Sequence, residues 1–158
     1  MTRAEAEEIL SSYRQKRREA EGAWIKAESL MDSVSTLQAT SYDRPVVRRS
    51  VDQDAMALKI GVMLAEGDRL QELYQCKQRE ADWVLAEISG TMCAMADPLG
   101  TLTKLLRLRF VDGLPWEDVA EEMAFALRRV YQLRLEALDA FAEAWERMHF
   151  NAVEVVQK

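Results

Sequence analysis

Two stretches of this chain carry a seven-residue apolar repeat, and a repeat of that length narrows what either stretch can fold into. From Ala4 to Thr40 there is no Pro and a single Gly. Leu10, Arg17, Trp24 and Met31 fall seven apart, and Tyr13, Ala20, Ala27 and Val34 fill the complementary series. A helical turn brings both series to one face, so the stretch predicts a long helix with an apolar seam, interrupted once by Arg17. The small Ala residues on that seam predict close approach of a partner helix. From about Val51 to Met92 the pattern returns. Ile60, Gly67, Tyr74, Ala81 and Ile88 form one series, and Met63, Leu70, Lys77, Val84 and Thr91 the other. Between the two lies the connector SYDRPVVRRSVDQ, where Pro45 stops the first helix and Ser50-Val51-Asp52-Gln53 fits a capping box for the second. Matching heptad helices on a short loop predict a long antiparallel helical hairpin, coiled-coil-like in its seam. Each arm would span roughly 55–60 Å at 1.5 Å per residue. A small head cannot cover that length, which predicts a homo-oligomer, a dimer favoured, through Leu10, Trp24, Met31, Ile60 and Leu70.

Composition excludes several classes. The chain of 158 residues is 49% hydrophobic and 30% charged, with only 6 Gly and 3 Pro, a balance that favours helices. No apolar run approaches membrane-spanning length, and MTRAEAEEIL lacks the apolar centre of a signal peptide, so no membrane association is expected. The expected location is the cytoplasm, with Cys76 and Cys93 as reduced thiols. Two Cys and one His do not make a four-ligand zinc site, and neither a metal nor a cofactor is expected. There is no Gly-rich phosphate loop, no Ser/His/Asp set and no paired carboxylates in a recognisable cleft, so an enzyme is not expected.

The formal charge of −6 argues against a generally DNA-coating surface, but its distribution is uneven. Residues 99–134 hold six basic residues against five acidic ones, and the bases are Lys104, Arg107, Arg109, Arg128, Arg129 and Arg134. Basic residues elsewhere read as solvated faces. Tyr13–Glu19 spreads its charges around a helix among acids, and Arg44, Arg48 and Arg49 keep a loop soluble.

Gly90 and Ala96-Asp97-Pro98 separate arm from head, dividing the chain into residues 1–96 and 97–158; Asp97 is a sound N-cap with Pro98 at the first helical position. The head reads as three helices. Leu105, Leu106, Leu108 and Phe110 close the first, and Val111-Asp112-Gly113 is turn chemistry. Pro115 reopens a helix with acids in its first turn, whose inward positions are Val119, Ala120 and Met123. After Ala124-Phe125-Ala126 a third begins near Leu127, with Val130 and Leu133 inward. It continues through Leu135, Leu138, Phe141, Ala142, Trp145 and Met148 at helical spacing, a core or interface stripe. His149 near its end reads as an exposed or capping residue.

A small residue at the crossing, apolar residues around the turn and an apolar pair on the second helix are the spacing of a helix-turn-helix. RFVDGLPWEDVAEEM followed by RRVYQLRLEAL resembles region four of RNA polymerase sigma factors. It is similar to the small sigma-like regulators of prophages, including late-gene activators of the RinA and ArpU type. Leu106, Arg109, Phe110, Asp112, Gly113, Leu114, Trp116, Glu117, Ala120, Arg128, Val130, Tyr131, Ala137 and Leu138 carry the likeness. Three positions depart from it: Ala124 stands where the turn Gly is usual, Ala126 where a Ser caps the recognition helix, and Pro115 where a Thr caps the preceding one. The apolar spacing and the resemblance together predict an all-α protein, a long antiparallel helical hairpin followed by a sigma-like helix-turn-helix with an extended last helix. The resemblance implies a regulator of phage or prophage genes that binds double-stranded DNA at a promoter, contacts RNA polymerase, or both. A packaging protein of the small-terminase kind and a protein-interaction adaptor that has lost DNA binding are the alternatives. With Val130 and Leu133 inward, Leu127, Arg128, Tyr131 and Gln132 face the groove as base readers. Lys104, Arg107, Arg129 and Arg134 are the expected phosphate contacts.

Overall fold

The computed structural model of the chain describes the backbone of residues 1–42 and 50–155 and the side chains of 1–39 and 54–150. It is all-α, with no strand among the described residues. Helix α1 spans Arg3–Tyr42 and α2 spans Ser50–Ala94. Helix α3, Thr101–Leu106, runs on into one π-helical turn, Arg107–Val111; α4 is Trp116–Glu122 and α5 is Leu127–Val155. The expected stop at Pro45, the capping-box side chains and Arg44, Arg48 and Arg49 lie outside the described residues.

The chain groups into two compact units, Met1–Lys16 with Glu80–Lys158, and Arg17–Arg79. The expected division at residue 96 does not describe that grouping, because the boundary cuts α1 and α2 rather than following them. The cause is burial. Ala6, Leu10 and Tyr13 of α1 and Ala81, Val84, Ile88 and Met92 of α2 share one core cluster with Leu105, Leu106, Phe110, Val119, Val130, Leu138 and Phe141. Gly90 is no breakpoint: it lies inside α2, with Met148 Cε 3.7 Å from where its Cβ would stand.

In the unit of residues 17–79, contacts between α1 and α2 pair Glu19 with Lys77 at 3.4 Å, the Trp24 ring with the Tyr74 ring at 5.2 Å, and Met31 Sδ with Gly67. Rising numbers on α1 meet falling numbers on α2, the signature of antiparallel neighbours. The aromatic pair adds about 0.5–1.5 kcal/mol beyond its buried area. The seam of α1 is rotated from the expected one. Ala20, Ala27 and Val34 are buried as expected, but Ala23 joins them while Trp24 and Met31 remain 45% exposed and Arg17 is exposed. A charge at 17 cannot be buried without a partner, so the helix turns its small residues inward and carries its large ones at the edge.

In the other unit, the first turns of α1 are tied to α5 by charge. Arg3 forms a two-pronged pair with Asp139, Nε to Oδ1 at 2.5 Å and Nη2 to Oδ2 at 2.6 Å. The hydrogen bonds from Arg3 hold the Asp139 carboxyl below its ordinary pKa. The last helix buries Ala137, Leu138, Phe141, Ala142 and Ala144. Of the stripe expected to serve as core or interface, Leu135 and Met148 are 45% and 41% exposed and lie outside the core. His149 is exposed, its ring stacked on Trp145.

Candidate nucleic-acid interface

The head begins with a cap that works at a distance. Asp97 is not the N-cap of α3; Gly100 is, at φ 67°, yet the Asp97 carboxylate accepts the Thr103 N–H at 2.8 Å. Asp97 thereby satisfies one of the helix-start donors from outside the helix. At the other end, the π turn carries the Asp112 N–H back to the Arg107 carbonyl at 3.0 Å. A π turn takes one residue more than an α turn, so it rotates the residues beyond it about the helix axis. Phe110 is buried, and the Arg109 guanidinium lies 5.0 Å over the Trp116 ring. Gly113 then takes φ 83°, with the Arg14 guanidinium 2.9 Å from where a Cβ would stand.

Helix α4 buries Val119 and Ala120 and leaves Met123 half-buried. Pro115, in extended conformation, is its N-cap rather than its first helical residue. Its acids, Glu117, Asp118, Glu121 and Glu122, are all exposed. The helix ends in a Schellman motif: the Phe125 N–H reaches the Ala120 carbonyl and the Ala124 N–H reaches that of Glu121, both at 3.0 Å. This geometry needs a left-handed residue, and Ala124 supplies it at φ 54°. The turn therefore has the shape normally given to glycine, made by a residue that is strained in holding it.

Helix α5 starts at Leu127, and the Ala126 carbonyl accepts the Arg129 and Val130 N–H groups, at 2.8 and 3.1 Å. Val130 and Leu133 are buried. Leu127, Arg128, Tyr131 and Gln132 are all exposed, side by side on the first two turns. Tyr131 rests against Trp116, ring centroids 5.9 Å apart.

The expected phosphate contacts fare differently. Lys104 is exposed, and its ammonium donates to the Glu122 carbonyl at 3.3 Å, beside the turn that leads into α5. Arg107, three residues on, is exposed and borders with Lys104, Met92, Cys93 and Thr103 an open cavity of about 400 Å³. Arg129 is exposed but donates to Gln132 Oε1 at 3.3 Å and lies 3.4 Å from Glu136 Oε1. Arg134 is not an outward cation at all. Its Nη2 donates to both carboxylate oxygens of Glu7, at 2.7 and 2.6 Å, its guanidinium lies 5.4 Å over Trp116, and its Nε is buried without a partner. The reason is helical phase: Arg134 stands four residues after Val130 and three before Ala137, both fully buried.

Arg134 therefore ties α5 to Glu7 in the first turns of α1 and to the Trp116 ring. Trp116 sits against Arg109, Arg134, Tyr131 and Phe110, so one half-buried ring joins the π turn after α3 to α4 and α5. Each guanidinium–ring contact is worth about 0.5–2 kcal/mol. The phase of Arg134 was the available signal; Glu7, more than a hundred residues away in sequence, gave none.

Among the described residues no group of three or more His, Cys, Asp or Glu is placed to hold a metal ion, and no helix is long and apolar enough to cross a membrane. Comparison with family models, curated proteins and solved structures finds no match to this chain.

Proposed function

We propose that this protein is a DNA-binding transcription regulator of phage or prophage genes, working in the cytoplasm of a bacterial host. It acts at a promoter, through RNA polymerase bound there, or both. One observation carries the reading. The turn at Ala124 delivers a long helix whose first two turns bury Val130 and Leu133 and present Leu127, Arg128, Tyr131 and Gln132 outward. A helix offered by its N-terminal turns fits the major groove, and the resemblance to sigma region four points the same way. Arg128 can pair with both guanine acceptors and Gln132 with adenine. Lys104 and Arg107 are the phosphate contacts, with Arg129 once it leaves Glu136.

Enrichment of genome fragments on the purified chain, then anisotropy titration on the enriched duplex, tests this. Arg128→Ala should cost about 1–3 kcal/mol on the selected site and relax preference at one base position. If Arg128→Ala, Gln132→Ala and the parent chain bind every duplex equally, α5 does not read DNA.

A second reading, an adaptor that meets protein only, draws on the exposed acids of α4 and on the two cations bound to Glu7 and Glu136. Self-association belongs with either reading. Of the residues expected at the seam between copies, Leu10 is buried within the chain and Ile60 and Leu70 are half-buried. Trp24 and Met31, with Ile25, Leu58 and Val62 at 59%, 70% and 63%, are exposed and suit contact with a second copy. Sedimentation should give a mass above one chain that falls to one chain with Ile25→Glu and Val62→Glu together. A single-chain mass for the parent would remove the proposal.

A further inference from the structure

Two rows of side chains lie along the outward side of the first turns of α5. Arg128 and Gln132, four residues apart, form a polar row; Leu127 and Tyr131, also four apart, form an apolar row beside it. Leu127 is 37% exposed and Tyr131 42%, and Phe125 in the turn just before them is 40% exposed. The core does not require large apolar groups here, because Val130, Leu133 and Ala137 already fill the buried face. Nor is the row loose: Tyr131 leans on Trp116, which Arg109 and Arg134 hold from 5.0 and 5.4 Å.

We infer that Leu127 and Tyr131 read thymine through its C5-methyl group, so that the duplex this protein selects carries thymine beside the bases met by Arg128 and Gln132. The inference rests on the DNA-reading proposal and deepens it. In the major groove thymine alone presents a methyl group, whereas guanine, adenine and cytosine present only polar edges. A polar row by itself distinguishes those three; the apolar row supplies contact with the fourth. An apolar row can also meet protein. DNA is favoured because the row is interleaved with Arg128, an exposed cation that suits the phosphate-lined major groove better than an apolar protein face. Leu135 prolongs the apolar row at 45% exposure, but it stands two turns into the helix, beyond the residues that enter a groove.

The experiment replaces each thymine of the enriched duplex by deoxyuridine, one at a time, which removes the methyl and keeps the pairing edge. Affinity is measured by anisotropy at constant salt. The parent chain should lose roughly fourfold at one or two positions, the value of one buried methyl. Leu127→Ala should bind more weakly overall and lose nothing further from deoxyuridine at one of those positions, with unchanged helicity by circular dichroism. Tyr131→Phe, which keeps the ring, should retain the thymine preference. If no deoxyuridine substitution alters affinity while Arg128→Ala does, the apolar row reads nothing and the DNA reading stands without it. If Leu127→Ala leaves DNA affinity intact and changes the sedimenting mass, the row meets another copy of the chain and the inference is overturned. If the parent chain binds no duplex, the DNA reading falls and the thymine inference with it.

Discussion

Replacing Ala124 by Gly should stabilise the protein, and its place in the turn sets the magnitude. Among the described residues Ala124 is the only non-glycine with positive φ, at 54°. Holding an L-residue in that conformation costs about 1–2 kcal/mol, through the clash of Cβ with the following carbonyl. Glycine removes the clash but gains freedom in the unfolded chain, which takes back about 0.4–1 kcal/mol. Ala124 is exposed, so loss of its methyl costs no packing, and both hydrogen bonds of the Schellman turn run through backbone atoms that glycine keeps. The net gain is about 0.5–1 kcal/mol. For a chain of 158 residues that is an increase in Tm of roughly 1–4 °C, read by circular dichroism on heating. DNA affinity should not change, because the turn keeps its shape. A lower Tm for Ala124→Gly would mean that residue 124 is not in a left-handed conformation in solution, and the presentation of α5 argued from this turn would go with it.

Glu7→Ala should strand the Arg134 guanidinium, whose Nε already lacks a partner, and lower stability by about 1 kcal/mol after allowance for solvent screening. Glu7→Gln should recover part of this, and an unchanged urea midpoint for Glu7→Ala would show that the pair contributes nothing. Asp139→Asn tests the tie between α1 and α5. Because Arg3 holds the Asp139 carboxyl below its ordinary pKa, the stabilisation is present above the unfolded-state pKa and lost as pH falls through the lower folded value. Parent and variant should therefore differ slightly at neutral pH, since both side chains are solvent-exposed, and converge below the carboxylate range. A difference that persists in strong acid would refute this cause.

Much of the local structure was legible from residue spacing alone. The heptads of α2 mark its least exposed positions, from the half-buried Ile60, Met63 and Leu70 to the buried Gly67, Ala81, Val84, Ile88 and Thr91. The turn residues located the break at Gly113, and the alternation of inward and outward residues gave Val130 and Leu133 to the core and left Leu127, Arg128, Tyr131 and Gln132 outside. These features depend on neighbours within a turn or two, where the period of the helix leaves little choice. Other features required the folded chain. The seam of α1 rotated away from Trp24 and Met31 because Arg17 could not be buried. Gly90, a breaker in isolation, stayed helical within a packed α2, and the π turn at Arg107–Val111 left no mark on the apolar pattern. Arg134 had the phase of a buried residue and the chemistry of a phosphate contact. Which one prevailed was decided by Glu7 and Trp116, one brought from the first turns of α1 and the other from the start of α4. Periodicity specifies a face, but the partner that satisfies a charge on that face comes from wherever the chain returns.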